Sequence, residues 1–314
     1  MTTDRSQTDR ARRYDRDHAR RLRSLAYRML GSRADAEDIV QEAWLRWADV
    51  DEGGVANAGA YLSRLVTNLC LDKIGSAAAR REQYVGVWLP EPVLDDELHF
   101  GSVPGPEQQA EFAEDVSVAF MLTLERLSPL ERAAFLLKDV FDLEFAEVAS
   151  HLNRTEAACR QLVSRARRSV KEDYARREVT AEEHQRLSDA FVEAVLSRDV
   201  SGLAHVLSAD VVMLADGGGK VTAVPKPVRG RDLVSTVFIG FAKLPAATGW
   251  RLQPARINGL PGFLVFDTND GGRLIQTITL APSATEPGHI GAVYVMRNPD
   301  KLGLLVTNAD AASS

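Results

Sequence analysis

The chain has 314 residues, 45% hydrophobic and 26% charged, with a formal net charge of −6. This is the composition of an ordinary soluble globular protein, long enough for roughly two or three modest domains rather than one core. No apolar run approaches the roughly 20 residues that span a bilayer, and the charged N-terminus lacks the apolar segment of a signal peptide, so a cytoplasmic protein without a membrane partner is expected. Cys70 and Cys159 are the only two cysteines; with no neighbouring His set they imply neither a zinc site nor a disulfide framework, and no metal or cofactor is expected.

From Tyr14 to about Arg81 the pattern is helical. Asp35 can cap a helix whose apolar face carries Ile39, Val40, Ala43, Trp44 and Trp47. Asp35, Asp38, Gln41 and Glu42 fall on its other side, an acidic edge that suits a protein partner with a basic face rather than a nucleic acid. A second helix, Tyr61 to Ile74, repeats Leu62, Leu65, Val66, Leu69 and Ile74 at close to helical spacing. Arg64, Asn68, Asp72 and Lys73 form its polar face, and Arg80 and Arg81 add positive charge after it. Polar and cationic residues beside the breaker-rich loop Asp51 to Gly59 suit capture of an unstacked base from melted DNA.

Composition then changes. Residues Glu91 to Asp115 hold eight acids and no Lys or Arg, interrupted at Pro92, Pro104 and Pro106 with Pro90 just before. This acidic, partly extended linker either lies in a basic channel, masks a DNA-binding face, or is a plain solvated spacer. Helices resume at Val116. Ser128-Pro129-Leu130-Glu131 is a strong helix start, with Ser as N-cap, Pro at the first position and Glu closing a capping box.

A helical stretch from Leu143 to Leu152, a short turn at Asn153-Arg154 and a helix from Thr155 to Arg177 give the outline of a helix-turn-helix. Eight cations (Arg154, Arg160, Arg165, Arg167, Arg168, Lys171, Arg176, Arg177) face only Glu156, Glu172 and Asp173, against the acidic background of the whole chain. With Thr155 as N-cap, Ala158, Leu162 and Ala166 should pack inward. Ala157, Arg160, Gln161, Ser164 and Arg168 lie on the opposite face, where Arg can pair with guanine and Gln with adenine in the major groove. Arg165, Arg167 and Lys171 are better placed for phosphates.

After a junction at Glu178 to Glu183 the texture changes again. A helix over 184–197, apolar at Leu187, Phe191 and Val195, leads into short β-like runs at Val211–Ala215, Val221–Val224, Phe263–Asp267, Leu274–Leu280 and Ile290–Met296. Gly-rich turns at Asp216 to Gly219, Asn258-Gly259 and Asn269 to Gly272 separate them. Helices followed by an antiparallel curved sheet make an α+β arrangement.

The segments ADAEDIVQEAWLRW, YLSRLVTNLCLDKIGSAAARR and LSPLERAAFLLKDVFDLEFAEVASHLNRTEAACRQLVSRARR, in this order and spacing, resemble the extracytoplasmic-function sigma factors of the sigma-70 family. The resemblance implies a σ2 domain over 14–81, an acidic linker over 82–116, and a σ4 helix-turn-helix domain over 117–177. Its implied partners are promoter DNA and core RNA polymerase, through the β and β′ subunits. Asp35, Asp38, Gln41 and Glu42 would dock on the β′ clamp helices. Arg64, Asn68, Asp72, Lys73, Arg80 and Arg81 would melt and read the −10 element. Arg154, Thr155, Glu156, Arg160, Gln161, Ser164, Arg165 and Arg168 would meet the −35 element. Trp88 to Pro92 (WLPEP), Asp216-Gly217-Gly218-Gly219-Lys220 and Asn298-Pro299-Asp300-Lys301-Leu302 are similar to the subgroup with a fused SnoaL-like extension, here 180–303. That extension has a nuclear-transport-factor-like cone fold and would regulate the sigma factor in cis.

In that setting three glycines let the backbone approach another surface closely. Lys220 is then available for the acidic linker or for an acid of the first helical module, and Asn298, Pro299, Asp300 and Lys301 form a second contact. Two other readings stay open: a stand-alone helix-turn-helix regulator, and an enzyme using the cone pocket. For the latter the candidates are Asp210, Asp216, Asp267, His205 and His289, among which the sequence supplies no close acid/base pair.

Overall fold

The computed structural model describes residues 10–81, 84–95, 117–173 and 180–305. They divide into two compact units. The first gathers the described residues up to 81 and those from 120 to 173; the second gathers 84–95, 117–119 and 180–305.

The first unit is all helical. A π-helical turn, Asp15–Ala19, runs into α1 (Arg20–Leu30), which Gly31 ends at φ 67° by donating its N–H to the Tyr27 carbonyl at 2.7 Å. Helix α2 (Arg33–Ala48) buries Ile39, Val40, Ala43 and Trp47. Its cap is Ser32, not Asp35: Ser32 is extended and its Oγ accepts the Asp35 N–H at 3.1 Å, which leaves Asp35 inside the first turn. Trp44 is half-buried, its ring 5.1 Å from that of Tyr14. Helix α3 (Ala58–Arg81) buries Leu62, Val66, Leu69, Cys70 and Ile74, with Leu65 half-buried at the edge of that stripe.

Four more helices follow: α4 (Val118–Glu125), of which Phe120 onward belongs to this unit, α5 (Pro129–Phe135), α6 (Phe145–Leu152) and α7 (Glu156–Asp173). The Ser128/Glu131 capping box forms at the start of α5. One turn further on, buried Arg132 donates to the Met29 carbonyl at 2.6 Å and to Glu125 at 2.8 Å, joining α5 to the end of α1. Burial brings this guanidinium down to about 10.

The second unit begins with a strap, residues 84–95. Then come α8 (Ala181–Leu196), α9 (Val200–Val206), β1 (Leu207–Asp216), β2 (Val228–Arg229), α10 (Arg231–Ala242), β3 (Trp250–Ile257), β4 (Leu260–Asp267), β5 (Arg273–Pro282), β6 (Ile290–Met296) and the short α11 (Pro299–Leu302). The sheet order is β2-β1-β6-β5-β4-β3. Phe191, Leu203, Phe238 and Ile239 from the helices pack on Met213, Val265, Ile278 and Val293 of the sheet. The order of elements, helical modules and then an α+β unit, is the one expected.

Three details differ. The sheet is not wholly antiparallel, because β1 and β6 run parallel from Leu207/Ile290 to Asp216/Met296. Residues 221–224 are irregular; Pro225 and Pro227 follow at once and cannot donate to a ladder. Helix α10 and strand β3 lie where no element was expected.

Candidate functional site

The helix-turn-helix is built as its punctuation requires. Asn153 adopts φ 50° and ends α6, while the Thr155 Oγ1 accepts the Ala158 N–H at 3.2 Å and starts α7. Cys159, Leu162, Val163 and Ala166 are buried, and Ala158 is half-buried at the side of that stripe. Arg154, Thr155, Glu156, Arg160, Gln161, Ser164, Arg165 and Arg168 are all exposed.

The cations of α7 fall into two groups. Arg165 and Arg167 turn back onto neighbouring helices, Arg165 to Glu131 at 2.6 Å and Arg167 to Asp139 through two bonds at 2.8 and 2.5 Å. The Ser128 hydroxyl and then Arg165 hold the Glu131 carboxyl below its ordinary value. Exposed pairs of this kind contribute about 0–1 kcal/mol, so exchanging the carboxylate for a phosphate costs little. Arg160 pairs within its own helix with Glu156 at 2.9 Å, its guanidinium 4.3 Å from the Phe145 ring centroid. It shares the open face with Gln161, Ser164 and Arg168. The Arg154 guanidinium donates to the adjacent Asn153 carbonyl at 3.0 Å.

On α2, Asp38, Gln41 and Glu42 are exposed and Asp35 is half-buried. Lys73 of α3 lies 2.7 Å from Asp35 and 3.6 Å from Asp38, so a residue expected at melted DNA sits against the acidic edge. Glu42 pairs with Arg46 at 2.6 Å. Along α3, Arg64 and Asp72 are exposed and Asn68 half-buried. Arg64 donates to the Asn153 side chain at 2.9 Å, tying the candidate base-reading face to the turn of the helix-turn-helix. Arg80 and Arg81 end α3; their side chains lie outside the described residues, as do Arg176, Arg177 and the linker acids from Asp96 to Asp115.

In the second unit Asp216 is fully buried at the end of β1. Its Oδ1 accepts from the Tyr84 hydroxyl at 2.5 Å and the Gly218 N–H at 3.0 Å; its Oδ2 accepts from the Leu89 N–H at 2.9 Å and the Lys301 ammonium at 2.8 Å. Lys301 also donates to the Leu89 carbonyl at 2.6 Å and lies 4.9 and 4.5 Å from the Tyr84 and Trp88 ring centroids. Asn298 donates to the Tyr84 oxygen at 3.0 Å. Burial, and then the bond to Asp216, push the Tyr84 phenol well above its ordinary value. Gly218 has φ 61°, and a Cβ there would lie 2.3 Å from the Asn298 amide nitrogen. Gly219 has φ 70°, and a Cβ there would lie 3.0 Å from the Cβ of Val85. The glycine turn thus lets the strap approach.

A second clasp grips the strap further along. Val93 exchanges bonds with Asn258, whose N–H donates to the Val93 carbonyl at 2.8 Å while its side chain accepts the Val93 N–H at 3.1 Å. Asp95 pairs with Arg256 at 2.9 Å and accepts the Gly259 N–H at 2.8 Å. Leu89, Pro90, Glu91, Pro92 and Val93 are buried. The linker is therefore no plain solvated spacer over these residues, and they lie in no basic channel. Among the described residues Lys220 pairs with Asp300 at 2.5 Å, within the second unit. Tyr84, Val93, Arg256 and Asn258 complete the site and were not anticipated as contacts. An apolar WLP run inside an acidic linker was the available signal.

The five residues considered for catalysis are not brought together. His205 bonds the Ser201 carbonyl, His289 the Pro287 carbonyl and Asp267 the Asn269 N–H. Asp210 bonds Ser208 and Thr285, with Ser208 first in holding its carboxyl below the ordinary value. Asp216 is taken up by the strap.

Comparison with known proteins matches residues 15–80 to sigma-70 region 2 and residues 117–170 to sigma-70 region 4. The chain is 38% identical to the ECF RNA polymerase sigma factor SigJ of Mycobacterium tuberculosis, over 89% of each chain. It is 31% identical to a probable ECF RNA polymerase sigma factor, SigI, of the same species, over 91% of this chain and 93% of that one. Its fold is similar to the crystal structure of the M. tuberculosis extracytoplasmic-function sigma factor SigJ, with a TM-score of 0.70 at 36% identity, covering 90% of this chain and 95% of that one.

Proposed function

Because this chain belongs to the ECF RNA polymerase sigma factors, we propose that it is a promoter-specificity subunit whose C-terminal α+β unit restrains it in cis. Asp35, Asp38, Gln41 and Glu42 dock on the polymerase β′ subunit, with further contact to β. Arg64, Asn68, Asp72, Lys73, Arg80 and Arg81 engage the melted −10 element, and Arg154 and Thr155 before α7, with Glu156, Arg160, Gln161, Ser164, Arg165 and Arg168 on it, meet the −35 duplex.

The observation that carries the regulatory half is the double clasp on residues 84–95. This segment joins the two DNA-binding modules, and each residue of it held on the sheet removes roughly 3.3–3.6 Å of reach between them. The Arg64–Asn153 bond supports the same reading, since it occupies a base-reading cation with a residue of the other module. Freeing the strap would restore the reach.

Run-off transcription with purified core polymerase tests the proposal, comparing the full chain with residues 1–177. Removal of the C-terminal unit is expected to change promoter-specific transcript yield. Equal yields would overturn the regulatory half, and failure of both forms to bind core polymerase would overturn the whole.

A further inference from the structure

The second unit contains a cavity of about 160 Å³ that the strap does not use. It opens between α8, α10 and the concave face of the sheet, and Phe238, Phe241, Trp250, Met213, Val265 and Ile278 make its walls. A cavity of about 150 Å³ with such walls stays dry and holds a molecule the size of benzene, so the enclosed part of an occupant is about one ring in size.

The lining has three large polar side chains. They are Gln276, Arg198 and Arg297; the lining contains no carboxylate and no histidine. Arg297 continues directly from β6. Its side chain donates to the Thr222 carbonyl, and its Nε is buried without a partner among the described residues. Neither arginine has an ion-pair partner among the described residues, and burial holds Arg297 below its ordinary value. A cation taken out of water without a counter-charge is costly unless something anionic joins it. Gln276 is buried on β5 and its side chain bonds no described residue, leaving an amide to accept from or donate to the same head group.

We propose that this cavity binds a small carboxylic acid with an apolar body of about one ring, its carboxylate held by Arg297 and oriented by Gln276, with Arg198 at the mouth. Without a paired acid and base on its walls the cavity binds the acid and releases it unchanged. The site also touches the strap's anchor: the Arg297 and Asn298 N–H groups both donate to the Asp216 carbonyl, at 2.7 and 3.0 Å, so the strands that hold the carboxylate also hold the strap.

The test is isothermal titration of the full chain with benzoate, salicylate and 3-methylbutanoate, each set against its neutral primary amide. Saturable binding of at least one acid is expected, at least tenfold tighter than its amide, with Arg297→Gln erasing that preference. Ala247→Trp, placed in the short 3-10 turn Pro245–Gly249 that lines the cavity, should abolish binding of acid and amide alike; circular dichroism checks that both variants fold. Equal affinity for acid and amide overturns the proposal, as does full acid affinity in Arg297→Gln or the absence of any saturable binding. None of these outcomes depends on transcription, so they are separable from failure of the sigma-factor reading.

Discussion

Asp216 and Lys301 form an ion pair at 2.8 Å in which the carboxylate is fully buried and the lysine side chain only 9% exposed. Every oxygen lone pair that the pair needs filled is met by the strap or the glycine turn. Removing one partner strands the other charge, which costs about 3–5 kcal/mol. Asp216→Ala is therefore expected to lower the unfolding free energy of the second unit by that amount in a urea titration, and to raise amide exchange across residues 84–95. Replacing both residues together, Asp216→Leu with Lys301→Met, should recover most of the loss. Equal losses in the single and double variants would show that the pair does not hold the strap.

Asn153 and Arg64 permit a cleaner test of the link between modules. Asn153→Gly keeps the positive φ that ends α6 and deletes only the amide that receives Arg64. Stability should change by no more than about 0.5 kcal/mol, while promoter opening, followed by permanganate reactivity of melted thymines, becomes faster. Arg64→Ala should slow the same reaction.

On α7 the two groups of cations should separate in DNA binding. Arg160→Ala is expected to cost about 1–3 kcal/mol and relax preference at one base pair. Arg165→Ala should weaken all duplexes alike and reduce the slope of log affinity against log salt by about 0.9. Competition binding over several salt concentrations distinguishes these outcomes.

His151 sets a pH dependence for the first unit. Burial pushes its imidazole below the ordinary value, against the opposing pull of the Glu147 carbonyl bonded to it at 2.7 Å. The unfolded chain therefore binds the proton more readily than the folded one. Its contribution is complete above the unfolded value of about 6.5 and is lost as pH falls from there through the folded value. The urea midpoint should drop between neutral and mildly acidic pH in the native chain, and His151→Gln should flatten that drop.

The sequence was most legible where chain geometry is local. Ser128, Pro129 and Glu131 announce α5, Asn153 and Thr155 frame the turn, and the alternation of Ile290–Met296 marks β6. Helix α10 was hidden because RDLVSTVFIGFA is rich in β-branched and aromatic residues that favour strands. Strand β3 was hidden because its outer edge is exposed and it carries Pro254, tolerated there for lack of a neighbour. Asp216, Asn298 and Lys301 were recognisable as contact residues, but what they hold was not. Tyr84 lies 132 positions from Asp216, and no local pattern records such a pairing.

The clasped segment belongs to the same polypeptide as the sheet that grips it. Its occupancy follows an effective local concentration fixed by chain connectivity, so neither dilution nor overproduction shifts it, unlike capture by a separate inhibitor. Loosening it takes a competing surface or a small molecule, one event per protein copy, and the response should be graded by that competitor and not by cellular abundance.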